Sequence, residues 1–393
     1  MLSDDSLDVF PVLFTEEVAS DDHFLLVEIP HDLLSKFRSL CSSGASKDEK
    51  CESVFATRLI DFFRLYIKGR PNDEAVLCSE DRTYALKSAQ TSNSLLISKI
   101  SKGPGLHHNK LEVIHSLKSI IETARISPRL HRVKEVLLPS LYKGTTEKYL
   151  QKDKIKFYTL QELQAEVQAS DLELSDMLQR LRVLTLDGVL RLVDLDYMYE
   201  IVCLILECAE AFSFPLEEMD LNLLLEKLSD HEIAPPLISH CLYSVSELLL
   251  NGCCKLIESE VSRVLGEKIL KSLTEPTTVW DFLERWSKDL PTSYQPSMDH
   301  LQGLYYLDED NVLDMSDNNY VHYFSAIDLS FEPKLRFKEI FNQKPRWTPS
   351  EIAPFVIDLI PSRDPKELNG FLLRFCRFVT VKEKQYFTCK IKF

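Results

Sequence analysis

The chain has 393 residues, 45% of them hydrophobic and 27% charged, a composition typical of a folded globular protein long enough for two to four domains. Only ten glycines are present, which argues against phosphate-binding glycine loops and favours helices joined by short polar turns. No stretch approaches the roughly 20 uncharged apolar residues of a membrane span. The acidic N-terminus is unlike a signal peptide and the ten cysteines show no disulfide framework, so we expect an intracellular protein.

Charge is divided unevenly along the chain. The formal net charge is −15, yet residues 334–393 contain 13 Lys and Arg against 6 Asp and Glu, a local balance of +7. Residues 1–333 therefore carry −22. A basic segment on an acidic protein predicts a surface for phosphate groups, with an ordinary solvated basic face as the alternative.

Residues 1–100 are predicted to form a β-rich region. The stretches AVLC, TYALKS and SLLIS have the composition of short strands separated by polar turns. So few strands make a poor closed barrel, and the edge of an open sheet is either protected or paired with another chain. We expect a small self-contained α+β domain or a region that pairs with a partner. In the second case these strand residues mark the interface: Val76, Leu77, Tyr84, Leu86, Leu95 and Ile97.

Residues 101–150 are predicted to form a helical spacer. The sequence Gly-Pro-Gly at residues 103–105 interrupts the preceding pattern. After it, apolar residues recur at helical spacing, and a second helix is predicted to end near Pro139. The residues of the first helical stripe are Leu111, Ile114, Leu117 and Ile121.

Residues 151–212 have the order of elements of a winged helix-turn-helix. Ser/Thr-x-x-Glu spacings that begin at Thr159 and Ser170 predict capping boxes at the starts of two amphipathic helices. Asp187-Gly188 between two short apolar runs then predicts a β-hairpin. The sequence therefore predicts a first winged helix here.

The same order recurs in residues 331–393, where caps at Thr348 and Asp364 begin two helices and an alternating segment predicts a hairpin. Pro354 is expected to kink the first helix or delay its start. A weaker copy is predicted in residues 213–330, of which residues 276–330 are either an elaboration or a fourth module. The predicted fold class is α+β and multidomain: a β-rich region, a helical spacer and a tandem array of winged-helix modules.

Motifs for catalysis are missing from the sequence. It has no P-loop, no dinucleotide-binding glycine motif, no nucleophile elbow and no H-E-x-x-H. The cysteine pairs also lack the spacing of zinc ligands. We therefore expect no enzyme, no catalytic residue, no metal and no cofactor.

The two clearest modules differ in charge. On the second helix of the first module, Asp171, Glu173 and Asp176 would repel a duplex, which predicts a protein-binding role. The last module has cations on its second helix and hairpin, and few base-reading side chains, which predicts sequence-tolerant DNA contact. The predicted DNA-binding residues are Arg363, Lys366, Arg374, Arg377, Lys382, Lys384, Lys390 and Lys392.

The order and length of these segments, with WTPSEIAPFVIDLI and ELNGFLLRFCRF near the C-terminus, resemble the family called defective in sister chromatid cohesion protein 1. The resemblance covers essentially the whole chain. It implies a non-catalytic, nuclear subunit of an alternative replication factor C clamp loader. It also implies that the β-rich region joins a shared β-barrel assembly with the specialised large subunit and a small partner subunit.

The resemblance further implies association with the shared small replication factor C subunits, the catalytic subunit of DNA polymerase epsilon, and DNA. Through the loader, such a protein acts on the sliding clamp at replication forks and supports sister chromatid cohesion. Combined with the charges, this predicts that the acidic first module faces the polymerase and the basic last module faces DNA, with no membrane partner. The alternative is a winged-helix transcription or chromatin regulator with sequence-specific DNA binding.

Overall fold

The structure is a computed structural model. It describes residues 12–14, 26–34, 65–101, 110–144, 155–231, 233–308, 319–361, 364–381 and 384–390. The chain divides into two compact units, Met1–Ile126 and Ser127–Phe393. Helices and small, mainly antiparallel sheets are both present, which confirms the α+β class.

The first unit contains a five-stranded sheet of order β1-β5-β4-β3-β2. Its strands are β1 (Val12–Phe14), β2 (Tyr66–Lys68), β3 (Val76–Cys78), β4 (Thr83–Ser101) and β5 (Lys110–Arg125). The β1 strand is parallel to β5, and the other neighbours are antiparallel. The predicted strands TYALKS and SLLIS are one continuous strand, β4, with a register shift between Gln90 and Leu95 where polar residues had suggested a turn.

The predicted helix after residue 110 is wrong. Lys110–Arg125 is strand β5, which pairs with β4 along most of its length. Leu111, Leu117 and Ile121 have helical spacing, but the spacing of apolar residues does not show that the backbone is hydrogen-bonded to another strand, β4. The long-range ladder satisfies the backbone of both strands and overrides the local preference.

The second unit repeats one order of elements: helix, short strand or bridge, two helices, hairpin. The first repeat consists of α1 (His131–Leu137), a bridge at Tyr158, α2 (Leu160–Glu166), α3 (Asp171–Arg180), β6 (Leu184–Leu186) and β7 (Val189–Arg191). The second consists of α4 (Leu195–Ala211), a bridge at Met219, α5 (Leu221–Lys227), α6 (Pro235–Ser244), β8 (Ser246–Leu248) and β9 (Cys254–Leu256).

The third repeat contains α7 (Glu258–Ser272), β10 (Thr277–Thr278), α8 (Val279–Asp289), a 3-10 helix (Met298–Leu301), β11 (Tyr305–Asp308) and β12 (Tyr320–Tyr323). The fourth contains α9 (Pro333–Gln343), β13 (Arg346–Trp347), α10 (Pro349–Ile352), α11 (Pro365–Phe375), β14 (Cys376–Val381) and β15 (Lys384–Cys389). In every repeat the early strand or bridge pairs with the last strand of the hairpin.

The helix predicted near Pro139 exists, but it is not a spacer. Val133 and Leu137 of α1 are fully buried and pack in the same core as Tyr158 and Leu163 of the first repeat. An amphipathic helix of this kind is stable because its apolar face is covered, and here the rest of the repeat covers it.

Local signals explain most helix starts and turns in this unit. Both predicted capping boxes form, at Thr159 and at Ser170. Asp187 and Gly188 have φ of 51° and 79°, the left-handed conformation that a tight hairpin turn requires. Pro354 ends α10 after four residues, and a 3-10 helix follows from Ala353.

The burial of Glu267 on α7 can be tested through its effect on stability at different pH values. Burial raises the pKa of its carboxyl group, although Arg182 and Arg263 offset part of that effect. A raised folded-state pKa means that ionised Glu267 destabilises the fold at neutral pH. This destabilisation is lost as the pH falls from the folded-state pKa of Glu267 to its unfolded-state pKa.

We therefore expect Glu267→Gln to raise the free energy of unfolding at pH 7 by about 1 kcal/mol, the usual scale of a net polar interaction. The gain should become small near pH 3, where the carboxyl group is protonated in both states. Hydrogen exchange of α7 at the two pH values, corrected for the intrinsic exchange rates, measures it, with exposed Glu275→Gln as the control. A gain of equal size at both pH values would contradict the burial argument.

Candidate nucleic-acid and partner interfaces

The sheet of the fourth repeat has one apolar face and one basic face. Its inner face buries Trp347, Cys376 and Phe387. Successive side chains of a strand point to opposite faces of the sheet. The neighbours of these three residues along their strands therefore lie on the outer face. Arg346 and Arg377 both lie opposite Thr388, and Lys384 lies opposite Val381.

The exposed cations of this outer surface are Arg346, Arg377, Lys384 and Lys390, and we call it the basic sheet face. Val379 and half-buried Tyr386 lie between them. Among its described residues there is no Asp or Glu, so no described side chain on this face offsets the positive potential. Such a surface suits phosphate oxygens, with Tyr386 able to contact a sugar or base.

The structure brings most of the predicted DNA-binding residues that it describes to one side of the fourth repeat. Arg377, Lys384 and Lys390 are on or beside the basic sheet face, and Lys366 and Arg374 are exposed on α11. Arg363, Lys382 and Lys392 lie outside the described residues. Sequence reasoning missed Arg346, because its two-residue strand precedes both helices and only pairing with β15 carries it to this face.

The acidic residues of α3 have local structural roles. Glu173 completes the capping box with Ser170, and Asp171 accepts a hydrogen bond from the Gln164 side chain at 3.3 Å. Both carboxylates and that of Asp176 are half-buried. Their role towards a polymerase therefore stays a prediction.

Exposed apolar side chains accompany the acids of the first repeat. Leu160 on α2 is 47% exposed and Leu172 on α3 is 56% exposed. Leu160 directly follows the N-cap Thr159, and Leu172 lies two residues after the N-cap Ser170. Both are in the first turn of their helix, where side chains can project from the core.

The predicted partner-binding residues of the first unit separate into two groups. Val76, Leu77 and Tyr84 are buried within the unit itself, so a partner cannot reach their side chains. The Tyr84 hydroxyl also donates a 2.9 Å hydrogen bond to Asp32. The other three, Leu86, Leu95 and Ile97, are half-buried.

The β4 strand extends well beyond its neighbour β3. The two pair only at Thr83–Ala85, whereas β4 continues to Ser101. In the described part of the chain no strand pairs with β4 beyond Ala85 on the side away from β5. Leu96, in the middle of this edge, is 48% exposed. The row of backbone groups can accept a strand from another chain.

Two features are absent from the described residues. They contain no cluster of three or more His, Cys, Asp or Glu side chains able to hold a metal ion. None of their helices is long and apolar enough to cross a membrane.

Comparisons with known proteins agree with the resemblance seen in the sequence. The family model described as "Sister chromatid cohesion protein Dcc1" matches residues 24–356. The match ends before β14 and β15, so it does not include most of the basic sheet face.

Relatives named sister chromatid cohesion protein DCC1 match most of the chain. The Xenopus laevis protein is 28% identical over 88% of this chain and 91% of its own length. The Homo sapiens protein is 26% identical over 81% of this chain and 83% of its own. The Saccharomyces cerevisiae protein is 23% identical over 82% and 89%. The chain belongs to the sister chromatid cohesion protein Dcc1 family.

Proposed function

We propose that the protein is a non-catalytic nuclear adaptor, which joins an alternative replication factor C clamp loader to DNA polymerase epsilon and to DNA at replication forks. In this role it acts with the loader on the sliding clamp and supports sister chromatid cohesion. The observation that carries the proposal is the β4 edge of the first unit. Over Leu86–Ser101, no described strand pairs with β4 on the side away from β5.

The exposed side of β4 supports assembly of the first unit with other chains. Leu96 lies on this side of the sheet edge and is 48% exposed, and the edge can accept a further strand. Strands from the large subunit and the small partner subunit would complete the sheet as a shared barrel, which the small replication factor C subunits then hold in the loader.

The repeats of the second unit support the outward-facing half of the proposal. Helix, strand, two helices and hairpin is the order of a winged helix, so we propose a tandem array of four such modules. The first, with the acids of α3, faces the polymerase. The fourth, with the basic sheet face, contacts DNA, and the lack of Asn and Gln on that face favours sequence-tolerant binding over a transcription regulator's base readout.

The β4 edge can be tested with Leu96→Lys in the full chain. Lysine on an exposed edge strand opposes strand addition, because pairing would force its ammonium group against the incoming chain. We expect recovery of the large subunit and small partner subunit to fall at least about fivefold, from a lost strand contact of roughly 1 kcal/mol or more. Co-purification from cells that express all the subunits measures this.

Leu250→Lys is the matched control, since Leu250 is fully exposed in the turn between β8 and β9. It should leave recovery unchanged. Equal recovery of loader subunits with Leu96→Lys and with the unmodified chain would remove the β4 edge as the assembly surface.

A further inference from the structure

A separate surface of the second unit runs along α4, on the second repeat. It is a groove of 960 Å³ between α4 and residues 290–293, the segment that follows α8, and we call it the α4 groove. Tyr199, Cys203 and Leu206 on α4 form part of its apolar floor and are half-buried. The floor is thus accessible but shielded at its sides, which is the usual form of a recognition groove.

The α4 groove is held open by the core beneath it. On the opposite side of α4, Met198, Val202 and Ile205 are buried in the largest apolar cluster of the unit. Across the groove, the Tyr199 hydroxyl donates a 2.8 Å hydrogen bond to Asp289 at the end of α8. A preformed groove binds without the cost of ordering its own walls.

The charge around the α4 groove is mainly negative. Residues 192–226, which include α4, contain nine Asp and Glu and no Lys, Arg or His. Glu200, Glu207 and Glu210 line the groove and are exposed. Lys288 is the one cation among the lining residues, and its ammonium group pairs with Glu284 at 3.3 Å.

We propose that the α4 groove binds a basic amphipathic helix of a partner protein, with apolar side chains on the floor and Lys or Arg against the acidic rim. A helix laid along the 17 residues of α4 would contact it over about 25 Å, or between four and five turns. The negative rim repels nucleic acid and anionic membranes, so the charge selects a protein segment.

A synthetic peptide tests the proposal on the full chain. The probe is a fluorescent helix of about 18 residues built from Leu and Lys, with Leu at i, i+3, i+4 and i+7. Its Kd is measured by anisotropy. The position of the bound peptide is tested through Cys203 in the groove. Its alkylation by N-ethylmaleimide is followed by mass spectrometry, with Cys253, which lies outside the groove, as the reference. Burial raises the pKa of the Cys203 thiol, so the reaction is run above pH 8.

We expect saturable binding that slows alkylation of Cys203 by about tenfold and leaves Cys253 unchanged. Glu207→Lys/Glu210→Lys should weaken the peptide at least about tenfold, because two attractions become repulsions at the rim. The control Glu247→Lys/Glu275→Lys makes the same change in net charge at exposed sites outside the groove and should leave the Kd unaltered.

Other outcomes overturn the proposal. Binding that leaves Cys203 unprotected places the peptide elsewhere. Equal binding of a matched Leu and Glu peptide shows that the acidic rim does not select the ligand. Protection of Cys203 that grows with protein concentration without peptide shows that a second copy of the chain fills the groove. Failure of the Leu and Lys peptide to bind removes the site.

Discussion

Arg377→Glu/Lys384→Glu in the full chain is expected to lower its affinity for duplex DNA by about a hundredfold at low salt. Both cations lie on the basic sheet face, where no described Asp or Glu offsets them. Each reversal removes a phosphate contact and adds a repulsive carboxylate. On duplex DNA the logarithmic salt dependence should also become shallower by about 0.9 for each lost contact.

Fluorescence anisotropy across a salt series measures both quantities. The control is Lys271→Glu/Arg285→Glu, an equal change of charge at exposed positions of α7 and α8 in the third repeat. If the control weakens binding as much as the test variant, net charge decides affinity and the basic sheet face has no special role. An unchanged affinity and salt slope in the test variant would show that the face is merely solvated.

Arg336→Met is expected to lower the free energy of unfolding of the fourth repeat by about 3–5 kcal/mol. The Arg336 side chain is fully buried and forms a 2.6 Å ion pair with Asp358. Its guanidinium group also donates hydrogen bonds to the backbone oxygens of Leu329, Ser330 and Phe355. Methionine fills a similar volume but leaves these acceptors buried without a donor.

Hydrogen exchange of the full chain measures this locally, because a chain of several units need not unfold in one step. Protection of α9 and β13 should fall at least about a hundredfold, since 1.4 kcal/mol is a factor of ten. Arg336→Lys should recover only part of it, because an ammonium group cannot reproduce the planar fork of donors. Lys334→Met, on the exposed side of α9, should change little. Equal protection in Arg336→Met and Lys334→Met would contradict the structural role of Arg336.

Elements with a local physical cause could be predicted from the sequence. The capping boxes at Thr159 and Ser170 form because hydroxyl, carboxylate and backbone groups three residues apart satisfy each other. The turn at Asp187-Gly188 forms because these residues tolerate positive φ. The same is true of the basic character of the last module, since charge is a property of composition.

Elements that depend on distant pairing could not be predicted in the same way. Only the tertiary structure makes Lys110–Arg125 a strand, because its backbone partners lie in β4 across a loop. Likewise α1 becomes part of the first repeat only because Tyr158 and Leu163 cover its apolar face.

The candidate surfaces show the same division. The sequence alone determined the family resemblance, the sign of the charge on each module and the local caps and turns, because these depend on residues close together in the chain. Tertiary structure decided that Arg346 joins Arg377 and Lys384 on one face. It also decided that Asp289 lines the α4 groove and is hydrogen-bonded to Tyr199. Those contacts join residues that are separated by tens of positions, and only the packing of the repeats brings them together.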